Sequence, residues 1–192
     1  GFGSALMEFS NVKCSAMHLH KKDSGVAKTT AMYAATSIWG NPEELVLAKD
    51  DTTNSKMNRG ELYHSLPWCI DEITNLKPAL ASDLLYMFTA GRQKNRMAGG
   101  GNYERVRGKP WRLIAVSSGN VSMYAQMAMA KGNTKAEMQR LLELRVDEMD
   151  MAKVDPLTGA KLFTDIQDNY GHFGPEFVQY VIANKDAITA DY

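Results

Sequence analysis

Eight consecutive residues near the start of the chain, 22–29, match part of the pattern of a phosphate-binding loop. In the usual pattern G-x-x-x-x-G-K-[ST], backbone amides surround the phosphates, the lysine binds the outer ones and the hydroxyl ligates Mg²⁺. Here Lys22 and Ala27 replace the two glycines, so the pattern is incomplete. A helix that begins at Lys28 would still point its N-terminal amides at an anion. The segment predicts a nucleotide-phosphate site made of Asp23, Ser24, Gly25, Val26, Ala27, Lys28, Thr29 and Thr30.

Two acidic residues follow an apolar segment further along the chain. Residues 66–70 are typical of a buried strand, and Asp71 and Glu72 come directly after it. Mg²⁺ prefers carboxylate and water oxygens, so we expect Asp71 to hold the metal together with the hydroxyl of Thr29. Glu72 would orient and deprotonate the attacking water as general base. Each motif alone also fits a capped helix start or a polar loop, but together they favour hydrolysis of ATP with Mg²⁺.

Two further positions are candidates for contact with the terminal phosphate. Residues 117–120 follow a strand predicted at 111–116, and a small polar side chain there, that of Ser118 or Asn120, can lie beside the attacking water. Serine and asparagine are also common turn residues after a strand, and this alternative stays open. Arg145 stands among apolar residues in the last predicted strand. It is a candidate phosphate sensor, and a salt bridge with an acid accounts for it equally well.

The segment 91–109 is glycine-rich and strongly basic. A hairpin tip of this composition would carry its cations to the phosphate backbone of a nucleic acid. Some of its arginines, Arg96 among them, would alternatively reach a nucleotide on a neighbouring subunit as an arginine finger does. A solvated loop without a ligand is the third interpretation. The DNA-binding candidates are Arg92, Lys94, Arg105, Arg107 and Lys109.

The histidines and cysteines give little support to a metal centre. His18 and His20 alternate on a predicted strand, but no third ligand has a suitable spacing, so packing is favoured over metal binding. Cys14 and Cys69 lie in or beside apolar runs and outside any metal-ligand or redox spacing. We expect both to be buried, reduced thiols.

Length and composition predict one globular domain at 1–192. No stretch approaches the roughly 20 apolar residues of a membrane-spanning helix, and the first residues do not form a signal peptide, so we expect a cytoplasmic protein with no membrane partner. The formal net charge is zero, with 22 basic and 22 acidic residues. Any contact with nucleic acid must therefore come from a local basic surface. The chain begins within a predicted helix, which suggests a piece of a longer protein.

The order of elements predicts an α/β fold. Helices are predicted at 2–9, 28–38, 54–65, 78–90, 121–142 with an interruption near 132, and 176–184; strands are predicted at 14–20, 45–48, 66–70, 111–116 and 143–149. Strands that alternate with helices form a mainly parallel central sheet covered by helices on both faces, a three-layer sandwich. Ligands of such sheets bind at the carboxyl ends of the strands. The phosphate-loop motif and the acidic pair both follow predicted strands directly.

Several short segments, taken in order along nearly the whole chain, match a known group of proteins. They are DSGVAKTT at 23–30, WG at 39–40, DTTNS at 51–55, LPWCIDEITN at 66–75, LYM at 85–87, GRQKNR at 91–96, SSGNVSM at 117–123, LRV at 144–146 and NYGHFGPEF at 169–177. With these segments the chain resembles the helicase-like P-loop ATPase domains of bacteriophage and mobile-element replication proteins. That group is related to superfamily 3 and AAA+ helicases and includes primase-helicases and domains of unknown function.

The resemblance implies a P-loop NTPase fold of the RecA/AAA+-like kind and a homo-oligomeric, hexameric motor that moves along single-stranded DNA. It implies phosphate and magnesium binding by Lys28 and Thr29, metal and water roles for Asp71 and Glu72, and a sensor role for Asn120 or Ser118. Arg92, Lys94 and Arg96 become candidates for DNA contacts or for contacts in trans, and Arg145 becomes a candidate sensor or arginine finger. A primase or polymerase domain on the same chain is a further expectation, as is the host cytoplasm for a phage protein. Ala27 departs from the family, which has glycine there, and a methyl group disfavours a positive φ.

Three functional hypotheses remain at this point. The leading one is an ATP-dependent helicase or DNA translocase domain, because the hydrolytic motifs and the basic segment occur together. The second is a nucleotide-binding scaffold that does not hydrolyse ATP and recruits a replication partner, since both loop glycines are replaced. The third is a P-loop motor with another task, such as DNA packaging.

Overall fold

The structure is a computed structural model that describes residues 1–22, 27–47, 51–74, 77–93, 108–130, 133–146 and 155–192. Its strands are β1 (Ser15–His20), β2 (Trp68–Ile70), β3 (Ile114–Gly119) and β4 (Leu141–Arg145). Its helices are α1 (Gly3–Leu6), α2 (Lys28–Ser37), α3 (Pro42–Leu45), α4 (Thr53–Tyr63), α5 (Pro78–Thr89), α6 (Met123–Ala130), α7 (Lys135–Met138), α8 (Pro156–Asp168), α9 (Phe173–Ala183) and α10 (Lys185–Asp191). None of the helices in those ranges is both long enough and apolar enough to cross a membrane.

The four strands form one sheet in the order β2-β3-β1-β4, and all neighbouring strands are parallel. The predicted α/β class with a parallel sheet is therefore confirmed. In the register, His20 at the end of β1 lies opposite Gly119 of β3 and Arg145 of β4. Ile70 at the end of β2 lies opposite Ser117. The carboxyl ends of all four strands consequently share one edge of the sheet, where the segments that follow them can meet.

The core is built on large aromatic side chains around β2. Trp68 and Trp111 are almost completely buried and meet edge to face at 5.8 Å, and Phe88 of α5 meets Trp68 in the same way at 4.9 Å. Such pairs contribute about 0.5–1.5 kcal/mol each beyond the area that they bury. Gly60 of α4 allows a close approach here, because a Cβ atom at this position would lie 3.1 Å from the Trp68 ring. All three residues of β2, the strand that precedes the acidic pair, are buried.

Both cysteines are buried and free, as predicted. Burial raises the pKa of the Cys14 thiol and raises that of Cys69 to about 12. Thiols with raised pKa values stay neutral and weakly nucleophilic near pH 7, so packing is their role in this fold.

The carboxyl-terminal helices α8 and α9 pack beside α2. The Tyr33 and Phe163 rings stack with their centroids 5.0 Å apart, which joins α2 to α8. The Gly174 amide of α9 donates a hydrogen bond to the Ile38 carbonyl at 2.9 Å. A Cβ atom at Gly174 would lie 2.7 Å from that oxygen, so only glycine permits this approach. The helix that starts at Lys28 is therefore held between the sheet and the end of the chain.

The strand predicted at 45–48 is wrong at its first two residues. Its first residue belongs to α3, because the Asn41 side chain accepts a hydrogen bond from the Glu43 amide at 3.0 Å and the proline between them begins the helix. Leu47 makes one parallel bridge to the end of β2. Ala48 lies outside the described residues. The Gly-Asn-Pro sequence, which is also typical of a turn, is in fact a helix start.

The strand predicted at 111–116 is displaced by three residues. The backbone amides of Trp111 and Arg112 donate hydrogen bonds to the carbonyls of Gly91 (2.8 Å) and His64 (2.9 Å), which lie outside the sheet. The strand therefore starts later and extends to the glycine at its end. The two serines that we placed after the strand are within it.

The second half of the chain contains more elements than predicted. The helix predicted at 121–142 is divided into α6 and α7, and its last two residues belong to β4. The strand predicted at 143–149 accordingly begins two residues earlier, and its last three residues lie outside the described part of the chain. The helix predicted at 176–184 begins three residues earlier, and α8 and α10 were not predicted. The leucine-rich segment around Leu141 and Leu142 fits both a helical and a strand periodicity. Parallel pairing with β1 makes it a strand.

Candidate functional site

The segment between β1 and α2 holds the first part of the site. Of the predicted phosphate-loop residues, Asp23, Ser24, Gly25 and Val26 lie outside the described residues. Ala27 has φ 58° and ψ 16°, the left-handed conformation, and it directly precedes α2. The alanine therefore does not prevent a positive φ at this position, although its methyl group makes that conformation more costly than it would be for glycine. Its carbonyl accepts the hydrogen bond from the Ala31 amide at 2.9 Å and so starts the helix, whose first turn also contains the half-buried Thr30.

Lys28 is the first residue of α2, and its side chain is buried, with 9% of its surface exposed. Its ammonium donates hydrogen bonds to the Lys21 carbonyl at 3.2 Å and to Asn120 Oδ1 at 3.0 Å. Both acceptors are neutral, and in the described part of the chain no carboxylate forms an ion pair with this ammonium. A buried cation without a counter-charge is costly unless an anion binds beside it. The arrangement suits a phosphate ligand.

Thr29 and Asp71 meet although they follow different strands. Thr29 Oγ1 donates a hydrogen bond to Asp71 Oδ2 at 2.8 Å. The other carboxylate oxygen, Oδ1, accepts a short hydrogen bond from Ser118 Oγ and one from the Glu72 amide at 2.9 Å. A hydroxyl and a carboxylate in contact are the oxygen ligands that Mg²⁺ takes from a protein when it keeps several waters. This donor set fits the predicted metal.

Glu72 has an unusual backbone at the end of β2. Its φ of 56° is left-handed, and its amide donates to Ser118 Oγ at 3.1 Å as well as to Asp71. In the part of the chain that the structure covers, its half-buried carboxylate makes no hydrogen bond or ion pair. Strained backbone conformations of this kind persist where the surroundings impose them and cluster at functional sites. The side chain is available for a ligand or for water.

Asn120 follows β3, and both its side chain and its backbone amide form hydrogen bonds. Its side-chain oxygen accepts the hydrogen bond from Lys28, and its backbone amide donates to Thr74 Oγ1 at 2.8 Å. The Thr74 carbonyl in turn accepts a hydrogen bond from the Gln126 side chain at 2.8 Å. The sequence analysis did not single out Thr74 or Gln126. No motif identified them, because a threonine accepting a backbone hydrogen bond has no characteristic spacing.

Two histidines and a glutamate lie behind this edge. His18 is buried, and its ring contacts Ser117 Oγ and the Val121 carbonyl, both at 3.0 Å. Burial lowers its pKa, so it is neutral near pH 7. His20 lies 3.8 Å from Glu143 of β4, a residue that the sequence analysis did not identify. Among the described residues, no group of three potential metal ligands occurs, and the two histidine rings stack with their centroids 5.9 Å apart.

The predicted arginines and lysines are distributed over two edges of the sheet. Arg145 is exposed at the end of β4, at the same edge as Lys28. Arg92 is at the other edge, because Gly91 bonds to Trp111 just before β3, and a Cβ atom at Gly91 would lie 3.7 Å from Cys14 Sγ, just before β1. Lys109 is exposed and close to Trp111 in sequence. The remaining candidates, Lys94, Arg96, Arg105 and Arg107, lie outside the described residues.

The structure therefore brings Lys28, Thr29, Asp71 and Asn120 into one hydrogen-bonded group at the carboxyl edge of the sheet. Their roles in binding and catalysis stay predictions. A family model described as a domain of unknown function (DUF927) matches residues 1–108. The chain belongs to the DUF927 family. In this DUF927 chain the matched part contains the lysine, the threonine and both acids, whereas Asn120 and Arg145 lie beyond it.

A solved structure named SCCmec type IV Cch, an active helicase, is similar to the DUF927 chain. The TM-score is 0.71 and the sequence identity 19%, over 98% of this chain and 34% of the helicase chain. The two proteins share a fold, and the DUF927 chain spans about a third of the length of that helicase. No curated protein matches the DUF927 chain significantly.

Proposed function

We propose that this chain is the ATPase motor domain of a helicase or DNA translocase that serves the replication of a phage or mobile element. The observation that carries the proposal is the contact between Thr29 and Asp71, 2.8 Å long, beside the buried ammonium of Lys28. Lys28 and Thr29 begin α2 and Asp71 follows β2, and these two segments converge at the edge where parallel sheets bind ligands. The fold shared with a protein named an active helicase supports the same proposal.

The donor groups of the site fit ATP and Mg²⁺. Lys28 and the first amides of α2 would hold phosphate oxygens, and Thr29 with Asp71 would hold the metal. When bound, Mg²⁺ would supply charge neutralisation at the phosphate oxygens. Glu72, whose carboxylate makes no hydrogen bond or ion pair within the described residues, would orient a water molecule and accept its proton. Asn120 or Ser118 would hold that water or the terminal phosphate in place.

Further parts of the proposal concern assembly and partners. Arg92 lies at the edge of the sheet away from Lys28 of the same chain, so it would act on DNA or on a neighbouring subunit. Arg145 shares the edge of the site and would serve as a sensor within the chain or as a finger in a ring. We propose a homo-oligomeric, hexameric ring with single-stranded DNA as ligand, and a primase or polymerase domain on the same chain.

The proposal is tested by ATP hydrolysis with purified chain, with and without single-stranded DNA. The variant Lys28→Met keeps the volume of the side chain and removes its charge, and we expect hydrolysis to fall by about 100-fold or more. Lys161→Met, an equivalent change on the exposed face of α8, serves as the matched control and should hydrolyse ATP like the wild type. Thermal unfolding of all three proteins checks that the fold is retained. Equal hydrolysis by the wild type and Lys28→Met would contradict the enzyme proposal.

A second candidate function is a nucleotide-binding scaffold that does not hydrolyse ATP. The left-handed conformation of Ala27, a position that favours glycine, is the observation behind it, since strain in the loop can weaken the positioning of the phosphates. Isothermal titration with ATP and chromatography of the nucleotide after long incubation separate the two functions. Binding with unchanged ATP supports the scaffold, and formation of ADP supports the motor.

A further inference from the structure

Thr74 joins two segments that each carry part of the site. It lies in the segment after β2, two residues beyond Glu72, and its Oγ1 accepts the hydrogen bond of the Asn120 amide at 2.8 Å. Asn120 belongs to the segment after β3 and accepts the hydrogen bond of the Lys28 ammonium at 3.0 Å. One hydroxyl thus connects the acidic segment to the residue that holds the lysine.

The room for this contact depends on the neighbouring glycine. A Cβ atom at Gly119 would lie 3.5 Å from Thr74 Oγ1 and 3.1 Å from His18 Cε1. The glycine therefore allows the end of β3 to pass between the histidine ring and the threonine hydroxyl. Contacts between real Cβ atoms and their neighbours are rarely as tight as the second distance.

Other hydrogen bonds hold the acidic segment independently of this hydroxyl. The Ile73 amide donates to the Ser118 carbonyl at 2.8 Å, and the Glu72 amide donates to Ser118 Oγ at 3.1 Å. The Thr74 carbonyl accepts from the Gln126 side chain at 2.8 Å. Removal of the hydroxyl would leave these contacts in place and would release the Asn120 amide alone. The threonine hydroxyl has a specific task that the backbone contacts do not share.

We propose that Thr74 is a positioning residue, which fixes Asn120 so that Lys28 and Glu72 keep one relative arrangement during nucleotide hydrolysis. The proposal rests on the proposed ATPase function. The positioning role belongs to the hydroxyl group of the Thr74 side chain and not to its methyl group. Thr74→Val removes the acceptor at nearly constant volume, and Thr74→Ser retains it. Thr89→Val, a threonine at the far end of α5 with a hydrogen bond to the Leu85 carbonyl, is the matched control.

The hydrogen bonds that hold Asn120 and Lys28 are tested without measuring ATP hydrolysis. Amide hydrogen exchange, followed by mass spectrometry, should become faster in segment 117–123 of Thr74→Val and stay unchanged in Thr74→Ser and Thr89→Val. Acetylation of Lys28 should also become several-fold faster in Thr74→Val, because a displaced Asn120 no longer accepts from its ammonium. Unchanged exchange and labelling in Thr74→Val, or equal increases in Thr74→Ser, would overturn the proposal.

The functional part is measured by steady-state ATP hydrolysis. We expect kcat of Thr74→Val to fall by about 10-fold with KM within about 2-fold, because positioning matters more in the transition state than in the bound ground state. Thr74→Ser should restore most of kcat. If the wild type hydrolyses ATP and Thr74→Val hydrolyses it equally well, the role proposed for Thr74 is wrong and the proposed function is unaffected. A wild type that does not hydrolyse ATP defeats the proposed function, whereas exchange and labelling still decide whether Thr74 holds Asn120 and Lys28.

Discussion

Two residues of the site have positive φ angles, which residues other than glycine rarely adopt. Ala27 begins the helix that presents Lys28, and Glu72 follows the metal-binding candidate Asp71. Left-handed backbone costs about 1–2 kcal/mol per residue because Cβ approaches the following carbonyl oxygen. The hydrogen bond between Thr29 and Asp71 links the segments that contain the two strained positions. Of the three positive-φ residues other than glycine in the described part of the chain, two thus belong to the site and the third is His64.

At the residue scale, Ala27→Gly should stabilise the protein. Glycine adopts φ 58° without the steric cost, and its larger freedom in the unfolded chain offsets part of the gain. We expect the free energy of unfolding in urea to rise by up to about 1 kcal/mol. Ala34→Gly makes the same chemical change at an exposed position inside α2 and should lower it by about 0.5–1 kcal/mol. Equal losses in both variants would mean that Ala27 is not strained.

Residue types and spacing predicted the chemically distinctive part of the site. Lys28, Thr29 and Asp71 were identified because an ammonium, a hydroxyl and a carboxylate at these positions form a combination that is typical of phosphate and magnesium binding. Thr74 and Glu143 were not, since they act through hydrogen bonds to backbone amides that only the folded chain brings near. Groups of this kind are recognised only in the folded structure, because no sequence motif marks them.

At the element scale, β4 stabilises the start of α6. Glu143 accepts hydrogen bonds from Ser122 Oγ at 2.8 Å and from the Met123 amide at 2.5 Å. A carboxylate at a helix N-terminus satisfies an amide that has no partner inside the helix and interacts well with its dipole. The side chain is only 6% exposed, so water cannot replace it. Through α6, this strand also supports the segment that contains Asn120.

Glu143→Ala should therefore destabilise the protein by about 1–3 kcal/mol in urea unfolding, since two hydrogen bonds to a buried carboxylate are lost. Glu143→Gln retains an acceptor oxygen and should lie between the wild type and the alanine variant. Glu176→Ala removes an exposed acid from the first turn of α9 and should cost no more than about 0.5 kcal/mol. A Glu143→Ala protein as stable as Glu176→Ala would show that the cap is dispensable.

The elements that were predicted well from the sequence have a clear hydrophobic periodicity and a clear N-terminal signal. α5 begins with a proline and has an apolar face, and its last residue differs from the prediction by one position. β3 was displaced, because Trp111 and Arg112 are as strand-like in sequence as the strand itself but bond elsewhere. Leu141 and Leu142 fit a helix locally, and only the parallel pairing with β1 makes them a strand. Long-range pairing is not encoded in a local pattern.

At the scale of the whole molecule, the sheet separates two groups of candidate site residues. The nucleotide-site candidates lie at the carboxyl edge, whereas the described ends of the basic segment, Arg92 and Lys109, lie at the other. A Lys28-bound nucleotide and a DNA strand at Arg92 would therefore occupy opposite edges of the molecule. Any motor action would have to pass through the elements between them, above all α5, which runs from the acidic segment to Gly91.

The same separation predicts how DNA binding depends on salt. Because the net charge of the whole chain is zero, attraction must come from the local cations, and neutralised phosphates give a log–log slope of about −0.7 each for single strands. Fluorescence anisotropy with labelled single-stranded DNA should give a steep negative slope for the wild type. Arg92→Gln and Lys109→Gln should each flatten it by about 0.7, and the control Lys161→Gln should not change it. A flat wild-type slope would rule out a DNA motor while leaving ATP hydrolysis possible, because the two sites lie at different edges of the sheet.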